Sequence, residues 1–176
     1  MEILKDVSSI VANISITIGT VVAILQLFKF VKSSKADHER RQKQSTIEFF
    51  HNINSETSDL LRIMKEEGIL IGSRPTDTTI IDKIGNNSNL QETVMRYLNL
   101  MNRLSVGIIS KVYNIEIFSQ MAGKSVINTY GWLKPYIVHR REEIKRPTLY
   151  SDLEEMVEIL REMNNPPNNK SIMKHS

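Results

Sequence analysis

The chain has 176 residues, 40% of them hydrophobic and 24% charged, with no cysteine and a formal net charge of +3. The apolar share excludes disorder of the whole chain, and the missing cysteine excludes disulfides and thiolate metal sites. The small positive charge does not by itself argue for nucleic acid, and DNA is not expected as a partner.

The first element is an uncharged run from Val7 to Phe28. About 20 predominantly apolar residues span a bilayer as a helix, so the run is expected to be a transmembrane anchor. A cleaved signal peptide fits less well, because the start is mixed (Glu2, Lys5, Asp6) and no Ala-x-Ala site follows. A buried core helix is the rival reading, since Ser8, Ser9, Asn13, Ser15, Thr17 and Thr20 dilute the run. Lys29, Lys32, Lys35, Arg40, Arg41 and Lys43 follow it while Lys5 alone precedes it. The positive-inside rule then puts the N-terminus outside, the domain in the cytoplasm and the chain in the inner (plasma) membrane as a single-pass protein. Within the run, Ser15, Gly19 and Ala23 lie four apart on a small-residue stripe, the kind of face through which membrane helices self-associate. Lipid and a second copy are thus expected partners.

The rest reads as helices. One runs from the membrane exit to about Ile53, with Ile47, Phe49, Phe50 and Ile53 as its apolar face. Asn54 and Ser55 interrupt, and a second helix with Leu60, Leu61, Ile63 and Met64 stops at Gly68. From Ile69 to Asn89, Gly72, Pro75, Gly85 and Asn86-Asn87 mark a loop with one helical turn near Thr79 to Ile84. Asn89 is a candidate cap for a long helix carrying Leu90, Val94, Tyr97, Leu98, Met101, Leu104, Val106 and Ile108. A short helix over Ile115 to Met121 and a longer one from Lys124 to about Ile144 follow, the latter with a kink expected at Pro135. Ser151-x-x-Glu154 resembles a capping box for the last helix, with Thr148 as the other candidate cap. Leu153, Met156, Val157, Leu160 and Met163 form that helix's apolar face. The fold class expected is all-α, one transmembrane helix followed by a cytoplasmic bundle of about five to six helices. The regions are an anchor over 1–31, a basic link over 32–45, a helical domain over 46–163 and a disordered tail over 164–176.

Signals for catalysis are weak. The four histidines have no metal-ligand spacing, and there is neither a glycine-rich phosphate loop nor a Gly-x-Ser-x-Gly elbow. His139 with Glu142 and Glu143 is the one acid/base spacing, and such neighbours are commonly a solvated salt-bridging face. No enzyme activity, catalytic residue, metal or cofactor is expected. Two segments suit binding. Arg96, Asn99 and Arg103 share one helix face, and two guanidiniums flanking an amide suit an anion. Trp132, Tyr136, Arg140 and Arg141 fall within one helix, where aromatics beside cations can stack a base and hold its phosphates. The same residues serve equally well as core and rim of a helical bundle.

These segments also carry a resemblance. Leu98-Asn99, Arg103-Leu104-Ser105 with Gly107, Tyr130, Trp132-Leu133-x-Pro135-Tyr136-Ile137, Arg140-Arg141 and Tyr150 to Leu153 together resemble an uncharacterised bacterial family. Its members are membrane-anchored helical proteins known as a domain of unknown function, and the likeness covers about Thr46 to Arg161. Similar proteins often carry Glu where this chain has Asn102, which puts any site built on that carboxylate in doubt. Small anchored proteins of this kind also look like effectors of bacterial antiviral systems. That likeness implies a cytoplasmic domain that senses a cyclic oligonucleotide and an oligomeric membrane part that perturbs the bilayer. The alternative is a membrane-tethered scaffold that recruits a protein partner.

Overall fold

The computed structural model describes residues 2–70 and 77–165, with side chains described from Gly19 onward, Asp77 excepted. It is all-helical, with no strand among the described residues. The elements are α1 (Glu2–Glu66), α2 (Asp77–Gly85), α3 (Ser88–Ile109), α4 (Ile115–Phe118), a π turn (Ser119–Gly123), α5 (Lys124–Glu143) and α6 (Ser151–Asn164). The chain divides into two compact units, 1–41 and 42–176. The division falls inside the stretch 32–45 expected to act as a link.

The first unit corrects the membrane expectation. Among the described residues no helix is long and apolar enough to cross a membrane. Of the expected run from Val7 to Phe28, side chains are described only from Gly19, and in that part Thr20 and Gln26 stand among the apolar residues before Lys29. The single-pass anchor, its N-out orientation and the inner-membrane location therefore lack support. The lipid argument for the small-residue stripe goes with them. Gly19 and Ala23 of that stripe are exposed, and Ser15 lies outside the described side chains. Every described side chain from Gly19 to Arg41 is exposed, Val21, Ile24, Leu25, Leu27, Phe28 and Phe30 included.

The second unit holds the core. Its share of α1 runs unbroken through Asn54 and Ser55, where the composition predicts an interruption. Ile53, Thr57, Leu60 and Met64 recur at helical spacing across that point and are all buried. Burial of a continuous stripe outweighs the few tenths of a kcal/mol per residue that Asn and Ser cost as helix formers. Of the expected apolar face, Phe49 and Phe50 pack partly against the core while Ile47 is exposed.

Asn87, not Asn89, caps α3, its side-chain oxygen accepting from the Leu90 amide at 3.1 Å. Leu90, Val94, Tyr97, Leu98, Met101, Leu104 and Ile108 are buried, and Val106 is exposed on the other side of the helix. α3 packs on α6 and α2 packs on α5. Leu153, Met156, Val157 and Leu160 supply the α6 side, and fully burying such side chains stabilises by about 1.5–3 kcal/mol each. Ser105 keeps this contact free of an unmet hydroxyl, donating to the Met101 carbonyl at 2.7 Å and lying 3.4 Å from the Met156 sulfur. Buried Thr46 ties the α3–α4 corner to α1, accepting from the Asn114 amide at 2.7 Å and donating to the Gln42 carbonyl at 2.7 Å.

α5 runs through Pro135, which is buried within it. One further expectation changes: neither Ser151 nor Thr148 caps α6. The cap position is Tyr150, at φ 61° and ψ 28°, with no side-chain capping bond. The left-handed region costs a residue with a Cβ roughly 1–2 kcal/mol, so surrounding contacts must hold Tyr150 there. The Ser151 amide donates to the Thr148 carbonyl at 3.1 Å, and Glu154 meets Arg141 at 2.9 Å, so no capping box forms. The expected loop residues Gly72 and Pro75, and the tail beyond Asn165, lie outside the described residues.

Candidate functional site

The solvent side of α3 is built by helical spacing. With Leu90, Val94, Leu98 and Met101 turned inward, positions three and four apart on the other face line up. Ser88, Gln91, Glu92, Met95, Arg96, Asn99, Leu100 and Arg103, with Glu56 of α1, line a hollow of about 630 Å³. Small-molecule sites run to about 300–1,000 Å³, so the volume suits a nucleotide-sized ligand.

Its charges are not equivalent. Arg96 is committed, its Nε lying 2.5 Å from the Glu56 carboxylate. Arg103 and Glu92 are exposed and form no ion pair among the described residues. They stand eleven positions apart on α3, about 16 Å along the axis at 1.5 Å per residue. The hollow thus has a basic end and an acidic end, with Met95 and Asn99 between them.

Asn99 links the hollow to the α5–α6 corner. Its Oδ1 accepts from the Tyr150 hydroxyl at 3.1 Å. Burial pushes the Tyr150 phenol above its ordinary value, and Tyr136 adds to the rise while Arg140 opposes it. Arg140 itself bonds Glu143 at 2.5 Å, which raises the guanidinium further above its ordinary value. Glu143, one of the two carboxylates expected opposite His139, is thus engaged by Arg140. Tyr136 is 2% exposed, so its ring has no open face, and its hydroxyl has no partner among the described residues.

Arg141 is used differently. It donates to the Leu149 carbonyl and to Glu154, both at 2.9 Å, and so clamps the 144–150 turn against α6. Lys134 lies 3.6 Å from the same carboxylate. Partial burial works to raise the Glu154 carboxyl, but the neighbouring Tyr130 hydroxyl, Arg141 and Lys134 outweigh it and hold the group below its ordinary value. Trp132 packs, partly buried, against the core. Among the sequence candidates, then, Arg96, Asn99 and Arg103 meet in one hollow. Tyr136 and Arg140 adjoin it through Tyr150, while Trp132 and Arg141 serve packing and the turn.

Sequence reasoning missed Glu56, Glu92 and Tyr150 as site residues. Glu92 was within reach, being four residues before Arg96 on the same face. Glu56 lies forty positions from its partner, and no local pattern connects them. Asn102 buries a side-chain oxygen with no hydrogen-bond partner among the described residues.

These features define an all-helical domain with a two-ended polar hollow on one face. The sequence places it in a family: residues 13–160 match DUF4760, a domain of unknown function, and the chain belongs to that family. No curated protein and no solved structure matches it.

Proposed function

We propose that this domain is a recognition module whose α3 hollow binds a nucleotide-like anion. Phosphate lies against Arg103 and Asn99, and the N–H edge of a base lies toward Glu92. The observation that carries the reading is that Arg103 and Glu92, which form no ion pair among the described residues, stand at opposite ends of one nucleotide-sized hollow. A guanidinium offers a phosphate a bidentate fork, and a carboxylate accepts from amino and imino groups. A bare anion would satisfy one end only.

The resemblance to antiviral effectors makes cyclic oligonucleotides the first ligands to test. Calorimetric titration of cyclic dinucleotides into the full chain and into Arg103→Ala is the experiment. Charge-assisted hydrogen bonds contribute about 1.5–3 kcal/mol, so the variant should bind at least tenfold more weakly. Equal affinity in both proteins contradicts the site.

A scaffold that recruits a protein is the second reading. It is supported by the exposed apolar side chains of α1, Leu25 and Phe28 among them, since large exposed apolar patches mark interaction surfaces. Leu25→Ser with Phe28→Ser should then abolish co-purification of a partner without affecting nucleotide binding.

A further inference from the structure

The Tyr150–Asn99 hydrogen bond decides which end of the Asn99 amide the hollow presents. Tyr150 is 7% exposed, so its hydroxyl proton needs an acceptor within the protein. Asn99 Oδ1, at 3.1 Å, is the acceptor it has among the described residues. Turning the amide over would set its NH₂ against the hydroxyl and leave the phenol proton unmet. With Oδ1 occupied, the NH₂ group is left without a hydrogen bond among the described residues, on a side chain that lines the hollow. The chain around Tyr150 is held to this end: the residue keeps its left-handed backbone (φ 61°), and Arg141 grips the preceding Leu149 carbonyl.

We infer that Tyr150 is a positioning residue that locks Asn99 as a hydrogen-bond donor beside Arg103, which makes the hollow's centre select an acceptor such as a phosphate oxygen. The inference rests on the anion reading of the hollow and adds how selectivity is built into it. A neutral amide free to rotate could turn either end to the ligand, whereas a locked one keeps its NH₂ group available to an acceptor.

The test titrates inorganic pyrophosphate and the cyclic dinucleotides of adenine and guanine into the full chain and three variants. Tyr150→Phe keeps the ring and its packing but frees the amide, and affinity should fall roughly fivefold to tenfold. Asn99→Asp still offers Tyr150 an acceptor oxygen, so the melting temperature should hold. It turns a carboxylate toward the ligand, so binding should disappear, which a merely structural Asn99 would not cause. Arg103→Ala reports on the anion reading itself. Native-like binding by Tyr150→Phe or by Asn99→Asp, when Arg103→Ala has lost it, overturns the assignment and leaves the anion reading standing. Undiminished binding by Arg103→Ala, or no binding of any probe by the native chain, overturns both.

Discussion

The α3 hollow and the Glu154 cluster are made of the same materials, and they differ in what is left over. Around Glu154, Arg141 and Lys134 converge on one carboxylate, with the Tyr130 hydroxyl beside it. In the hollow, Arg96 pairs with Glu56, while Arg103, Glu92 and the Asn99 NH₂ group make no such bond among the described residues. Arginine and tyrosine close to a carboxylate therefore say little alone. Function is read from the groups that folding leaves unmatched, and structure from those it matches.

The largest expected effect separates the two regions outright. Arg103→Ala should weaken nucleotide binding tenfold or more with little change in melting temperature, because its guanidinium is exposed and makes no ion pair among the described residues. Glu154→Gln should do the reverse. Losing the partner of Arg141 should cost about 1–2 kcal/mol in chemical denaturation, with affinity falling far less than for Arg103→Ala. A loss of binding in Glu154→Gln, or of stability in Arg103→Ala, would break the comparison.

Acid should sharpen it. The Glu154 carboxyl is held below its ordinary value in the fold, so its contribution is present above the unfolded carboxyl range and is lost as pH falls through the folded value. The stability gap between native chain and Glu154→Gln should thus narrow on acidification, as followed by denaturant midpoints. A gap that widened would reverse the assigned sign. The smallest effect concerns the acidic end of the hollow. Glu92→Gln should lower affinity for a guanine cyclic dinucleotide by a few fold and leave pyrophosphate unaffected, since only the base carries N–H donors toward that end.

What the sequence made legible follows its local periodicity. The inward stripe of α3 and the outward row of Arg96, Asn99 and Arg103 are two sides of one 3.6-residue repeat, so reading the first exposes the second. Pairings between distant segments were not legible. Nothing near Arg96 announces Glu56, and nothing near Asn99 announces Tyr150. Local motifs misled too. Ser151-x-x-Glu154 has the spacing of a capping box, yet the Ser151 amide donates to the Thr148 carbonyl and Glu154 meets Arg141. The uncharged run misled for another reason. Among the described residues no helix is long and apolar enough to cross a membrane, so absence of charge alone did not establish a span.

The measurement that bears most directly on the central claim is a thermal-shift screen of the full chain against cyclic di- and oligonucleotides, with Arg103→Ala alongside. A ligand at 100 times its dissociation constant adds about 2.7 kcal/mol to a two-state domain, enough to move the melting point by several degrees. The account predicts that at least one cyclic nucleotide raises the melting point of the native chain and that Arg103→Ala loses most of that shift. A flat screen of the folded native chain, or an equal shift in the variant, would contradict it.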